Sequence, residues 1–153
     1  MPCITDHENS MLCTPPLNLE IQQTLFSMNP LKAIGPDGLH ALFFQNGWNV
    51  VGVDFCHFIR TLFVEPSRIA SISDTWIALI LKKGKVETTS DFHPTGLSNI
   101  TYKVMAKLIA NRLKPLLQKI ISPLQNAFLP GRQIIDTVVV ARELIHSMNR
   151  SNC

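Results

Sequence analysis

The sequence has few charges, no long apolar run, no clustered cysteines and no paired aspartates, and each shortage excludes something. Charged side chains make up 16% of the 153 residues against 46% hydrophobic ones, where soluble domains average about 25% charged. That balance excludes an intrinsically disordered chain, which must be poor in apolar residues. A chain of this length can bury roughly 68–70% of its unfolded surface, so one domain with a real core is expected. The longest unbroken apolar stretch is Trp76 to Leu81, whereas a membrane-spanning helix needs about 20 residues. The opening Met1-Pro2-Cys3-Ile4-Thr5-Asp6-His7-Glu8 lacks the basic and apolar regions of a signal peptide. The expectation is a soluble intracellular chain, in cytoplasm or nucleus, with no membrane partner.

Cys3, Cys13, Cys56 and Cys153 are spread along the chain, with neither CxxC spacing nor the density of a disulfide scaffold. Free thiols fit best. His7, His40, His57, His93 and His146 form no HxxxH or HExxH pair, so a metal site built only from these cysteines and histidines has poor spacing support. GxSxG, GxxxxGK[ST] and GxGxxG are absent, which removes the usual acyl-transfer and mononucleotide signatures. Nucleotidyl transfer needs carboxylates that hold two metal ions about 4 Å apart. Among the 11 acids, Asp-Asp, Asp-x-Asp and Asp-x-x-Asp never occur. Asp37, Asp91 and Asp136 each sit in a loop or at a helix start, where a carboxylate caps backbone N–H groups.

What is present is a division of charge. Residues 1–80 hold three basic and seven acidic side chains, and residues 81–153 hold eleven basic and four acidic. A basic half is the footprint of a surface that meets a polyanion, and a solvated basic face looks the same. Several cations stand beside tight turns: Lys32 before Gly35-Pro36-Asp37-Gly38, Lys82, Lys83 and Lys85 after an apolar run, and Arg132 after Pro130-Gly131. Such turns can hold phosphate.

Periodicity predicts a mainly α chain with one or two short β-strands. Residues 1–17, with three prolines and no sustained period, read as an irregular lead-in. Asn18 is a plausible N-cap for a helix to Met28 that aligns Ile21, Leu25 and Met28 and stops at Pro30. Residues 32–38 predict a tight loop. Residues 39–46 and 51–63 predict two helices, the second aligning Phe55, Phe58, Ile59 and Leu62. Residues 74–81 predict a buried strand opening onto a basic turn. Ser98 or Asn99 caps a helix through Leu113 with Val104, Met105, Leu108 and Ile109 as its apolar stripe. Lys103, Lys107 and Lys114 form a row of ammonium groups on the opposite side. Arg112 falls in the apolar arc, where it snorkels, pairs with a carboxylate or faces a ligand. Pro115 kinks or restarts the helix, Ser122-Pro123-Leu124-Gln125 starts a short new one, and residues 136–148 predict a last helix.

Four strings follow in order: Lys32-Ala33-Ile34-Gly35-Pro36-Asp37-Gly38; Asp91-Phe92-His93-Pro94-Thr95-Gly96-Leu97-Ser98-Asn99-Ile100-Thr101-Tyr102-Lys103; Ala110-Asn111-Arg112-Leu113-Lys114-Pro115; and Gln125-Asn126-Ala127-Phe128-Leu129-Pro130-Gly131-Arg132. Together they resemble the reverse transcriptase, an RNA-directed DNA polymerase, of LINE-type non-LTR retrotransposons in the plant-like branch, from about Thr5 to Arg150. The resemblance implies the fingers portion of a right-hand polymerase, with 18–153 as a partial reverse transcriptase domain and the palm missing. In that family the fingers grip the template and the incoming triphosphate, palm aspartates bind two Mg²⁺ ions, and RNA template and DNA primer are the partners. The family's catalytic aspartates are expected beyond this chain, so it is expected to bind no cofactor and to be inactive alone. Lys82 resembles the lysine that closes the fingers strand. His93 stands where the family has an arginine and lacks that residue's bidentate fork; Ile34 replaces a proline, and Thr95-Gly96 replaces an Ile-Ser pair.

Turn geometry and resemblance together nominate Lys32, Gly35, Asp37, Gly38, Lys82, Lys83, His93, Lys103, Arg112 and Arg132 as contacts to nucleic acid or nucleotide, and no residue as catalytic or metal-binding. Three readings remain open: a fragment of a reverse transcriptase, a non-catalytic RNA- or DNA-binding module, and a relic with exposed apolar patches and no selected role.

Overall fold

The structure, a computed structural model, describes residues 3–82, 84, 88–122, 125, 131 and 133–151. The elements in chain order are α1 (Asp6–Cys13), α2 (Asn18–Phe26), α3 (Ala41–Asn46), α4 (Trp48–Val64), β1 (Thr75–Leu81), β2 (Phe92–Ser98), α5 (Ile100–Ile120) and α6 (Ile134–Ser151), with short 3₁₀ turns at Pro66–Ile72 and Thr89–Asp91. The fold is mainly α with one small antiparallel sheet, as the periodicity predicts. The chain divides into two compact units, Thr14–Ala110 and a second made of the residues before Thr14 and after Ala110.

The larger unit holds the core. Ile21, Leu25 and Met28 from the end of the first periodic segment pack with Phe55, Ile59 and Leu62 of α4 and with Ile100, Val104, Met105 and Leu108 of α5. All three helical stripes are therefore buried as their 3.6-residue spacing demands, apart from Phe58 and Ile109, which stay exposed at their edges. Aromatic rings extend the cluster: Phe44 lies 4.8 Å from Phe55, and Phe26 meets Trp48 edge-on at 5.8 Å. Cys56 is buried among these residues, and the thiols of Cys3, Cys13 and Cys56 are all free.

The end of α2 shows how the unit closes. A helix leaves its last four carbonyls without partners. Here the Gln45 amide donates to the carbonyls of Leu25 and Met28, at 3.0 and 3.1 Å. The Ser27 hydroxyl donates back to Thr24, and the Lys107 ammonium donates to the Ser27 carbonyl at 3.0 Å. At the other end Leu17, not Asn18, takes the N-cap position and offers no side-chain hydrogen bond. Asn18 is already helical, and its side-chain oxygen accepts from Arg60 instead.

β1 and β2 pair antiparallel from Thr75 opposite Ser98 to Leu81 opposite Phe92. β2 is the second of the one or two strands expected, in a segment to which no strand was assigned; its Pro94 and Gly96 are tolerated because, among the described residues, the strand has a single partner. One expectation changes here. β1 is not buried: every residue but Ala78 is exposed, because the apolar run forms one arm of a two-stranded ribbon and not the middle of a sheet.

In the smaller unit, residues 6–13 of the expected irregular lead-in form α1. The Thr5-x-x-Glu8 string is a capping box. The Thr5 N–H and hydroxyl each donate to a Glu8 carboxylate oxygen at 3.0 Å, and the Glu8 N–H donates to the Thr5 hydroxyl at 3.3 Å. α5 runs through Pro115 unbroken, so the helix does not restart there. One missing N–H is bridged because the ladder resumes beyond it, down to Ile121 donating to Leu117 at 3.0 Å. The short helix expected from Ser122 falls largely outside the described residues, while the last helix, α6, forms around the predicted segment.

Ile59 is fully buried and Val53, earlier on α4, is 78% exposed. Ile59→Ala is expected to lower unfolding free energy by about 2–5 kcal/mol and Val53→Ala by less than about 0.5; urea titration of the two variants checks this. The hydrogen bonds from Lys119 and Thr5 hold the Glu8 carboxyl down at about 2. Its folded value is depressed below the ordinary ~4.3, so its support of α1 is complete above that ordinary value and is lost as pH falls through about 2. The Thr5 amide followed by NMR should lose exchange protection over that window, and Glu8→Gln should abolish the dependence.

Candidate nucleic-acid interface

Two strings more than fifty residues apart in sequence meet in the larger unit. The turn closes on itself when the Gly38 N–H donates to the Gly35 carbonyl at 3.0 Å. Pro36 presets φ at the first central position, and Gly38 leaves the turn with φ at 70°, a region open to glycine. The Asp37 carboxylate accepts from the Leu39 N–H at 3.1 Å, an Asx turn. The Asp37 N–H in turn donates to the Asn99 side-chain oxygen at 3.1 Å, and the Lys103 ammonium donates to the Ala33 carbonyl at 2.5 Å. The loop is thereby clamped from both ends onto the start of α5.

Gly35 is required by the closeness of that clamp. A Cβ there would stand 2.4 Å from the Ser98 carbonyl carbon and 2.5 Å from the Asn99 nitrogen. Those are backbone atoms that cannot swing aside. Ser98 or Asn99 was expected to cap α5; the Asn99 side chain serves the turn, and its carbonyl serves the helix, accepting from Lys103 at 3.1 Å.

Lys32 lies exposed beside this turn, and the His40 ring nitrogen Nδ1 meets its carbonyl at 3.1 Å. Burial pushes the Lys103 ammonium below the usual lysine range, and the Lys32 charge pushes it further, while Asp37 acts the other way. Two cations and one carboxylate thus share the neighbourhood of one tight turn. A shallow open depression borders it, lined by Gly38, Leu39, His40, Leu42 and Phe43.

The expected row of three ammonium groups on α5 is not an open row. Lys103 and Lys107 reach backbone carbonyls, and Lys114 lies 3.5 Å from the Asn111 side-chain oxygen. Lysine stems are long enough to reach a neighbouring element, and an orphan carbonyl is a ready acceptor there. In the smaller unit, Arg112 donates to the carbonyls of Met11 and Leu12 at 3.4 and 3.1 Å. These close α1, which has no basic residue of its own in its last turn, so the guanidinium meets the negative end of the helix dipole.

Lys82 directly follows β1, with its ammonium on the Ser90 carbonyl at 2.9 Å. His93 is exposed on β2 opposite Ile80. Asp91 caps as expected, accepting from the Thr88 N–H at 3.0 Å, whereas the side chain of Asp136 lies outside those described. Lys83, Lys85 and Arg132 also lie outside the described residues. The structure therefore brings together Lys32, Gly35, Asp37, Gly38 and Lys103 and leaves Lys82 and His93 on the separate ribbon. What sequence reading missed is the clamp itself, since nothing in the two strings states that they touch. Among the described residues no three His, Cys, Asp or Glu side chains gather to hold a metal ion, and no helix is long and apolar enough to cross a membrane.

No family model matches the chain. It is 33% identical over 151 residues to a protein of Xenopus laevis described as the transposon TX1 uncharacterized 149 kDa protein, an alignment spanning 99% of this chain and 12% of that protein. The chain thus corresponds to a small part of the length of its relative, and the similarity supports a transposon origin.

Gly35→Ala is expected to destabilise the larger unit by more than about 2 kcal/mol through backbone displacement, and Asn99→Ala by about 0.5–1.5 through loss of one hydrogen bond. Chemical denaturation of both variants measures the difference, and equal small effects would contradict the clamp.

Proposed function

We propose that this chain is a portion of a retrotransposon reverse transcriptase, the fingers part of an RNA-directed DNA polymerase, and that its own task is to grip nucleic acid. The observation that carries the reading is the clamped turn: the string resembling the family's leading loop and the string resembling its fingers segment are joined by Asn99 and Lys103. The transposon relative and the excess of basic residues after position 80 support it. Lys32, exposed on the flank of the turn, presents a cation to phosphate. Phe43 in the adjoining depression is half exposed, and an exposed ring is a stacking platform for an unpaired base.

The Mg²⁺ ions of the family's whole enzyme supply charge neutralisation at the transferred phosphate and activation of the 3′ hydroxyl. The described residues do not fit that group, since no three His, Cys, Asp or Glu side chains gather among them. The role proposed for this chain is accordingly binding and positioning.

Single-stranded RNA binding by fluorescence anisotropy tests the reading. Affinity should fall with salt along a log–log slope of about −2 to −4, the release of roughly three to six counterions. Lys32→Glu combined with Lys82→Glu should flatten that slope by about 1 to 2. Primer extension by the chain alone with Mg²⁺ should yield no product. Absence of RNA binding at about 50 mM salt, where phosphate contacts are strongest, would refute the proposal.

A further inference from the structure

The free edge of β1 supports an inference that does not rest on nucleic-acid binding. Among the described residues β1 pairs only with β2. From Thr75 to Leu81 it carries no charge and no proline, and Trp76, Ile77, Leu79, Ile80 and Leu81 are all 53–70% exposed. An exposed apolar edge without such guards is a template for another strand.

The ladder shows which groups point outward. The Lys82 N–H donates to the Asp91 carbonyl at 2.9 Å, which makes those two a hydrogen-bonded pair. Antiparallel pairs alternate between bonded and non-bonded, so in the observed register Ile80–His93, Ala78–Thr95 and Trp76–Leu97 are bonded as well. Thr75, Ile77, Leu79 and Leu81 therefore direct their N–H and C=O groups away from β2. The far edge of β2 differs. Pro94, opposite Leu79, occupies an outward position and has no N–H, which blocks that edge.

We propose that β1 pairs antiparallel with β1 of a second copy of this chain, about a two-fold axis at Ala78. The outward residues are those with odd numbers, so odd must face odd, and centring on Ala78 sets Thr75 opposite Leu81 and Ile77 opposite Leu79, about eight hydrogen bonds in all. The same register sets Asp74 opposite Lys82 of the second copy at both ends, and both residues are exposed. It also sets Trp76 opposite Ile80 in a non-bonded pair, where side chains approach most closely. The small Ala78 meets itself on the axis. The product is a four-stranded sheet with Pro94 on both outer edges, so assembly closes at two copies.

Sedimentation velocity of the full chain from about 1 to 100 μM covers the range of weak, small-interface association, and the expected species are monomer and dimer. Asp74→Lys and Lys82→Asp should each weaken the dimer about 3- to 10-fold, and the double variant D74K/K82D should restore it. Hydrogen exchange supplies a readout that does not depend on the variants. The amides of Thr75, Ile77, Leu79 and Leu81 should gain protection with concentration, while those of Trp76, Ala78 and Ile80 are protected throughout. A monomer at every concentration, larger oligomers without a dimer, a dimer whose outward amides stay unprotected, or a double variant as weak as the singles would each overturn the proposal.

Discussion

Long basic side chains reaching backbone carbonyls hold both units of this chain in shape. Lys103 serves Ala33, Lys107 serves Ser27, and Arg112 serves Met11 and Leu12. All three project from α5, and each answers the same deficit, a carbonyl at a helix end or in a loop that has no partner of its own. A cation is the strongest available donor there, since it also meets the negative end of a helix dipole or the partial charge of the carbonyl. The first consequence is mechanical. In the larger unit, the loop at Ala33 and the end of α2 are tied to a helix whose apolar stripe is anchored by Val104, Met105 and Leu108. The second is electrostatic, because charge that a sequence count assigns to the surface is partly turned inward.

That redistribution sharpens the functional reading. A basic half suggests a broad polyanion-binding face, but the structure concentrates attention on one tight turn, with Lys32 beside it and Lys103 beneath it. Gly35 permits that turn to lie against the backbone of Ser98 and Asn99, so the loop is a positioned element, presenting its groups in a defined geometry. Such preorganisation is what a surface that holds a template requires, because a loop ordered in advance loses little entropy on binding. The transposon relative independently supports a retrotransposon origin.

Helices were legible wherever apolar residues recurred at 3.6-residue spacing over one turn or more. Ile21-Leu25-Met28, Phe55-Ile59-Leu62 and Val104-Met105-Leu108 were each readable in this way, and each is buried. The capping box at Thr5 and Glu8 was equally readable, but the prolines around it drew the reading toward an irregular segment. Local chemistry outweighed composition there. Of the site, the turn at Gly35–Gly38 was legible because proline and glycine restrict or free φ at specific positions.

The sequence by itself determined the helix faces, the turn and the cap, since these depend on residues within a few positions of one another. Tertiary structure alone decided that Phe92–Ser98 is a strand, that Trp76–Leu81 is exposed, and that Asn99 and Lys103 grasp a loop more than sixty residues earlier. Strand pairing and long-range hydrogen bonds join groups whose compatibility is a matter of position in space, and no local pattern along the chain encodes that position.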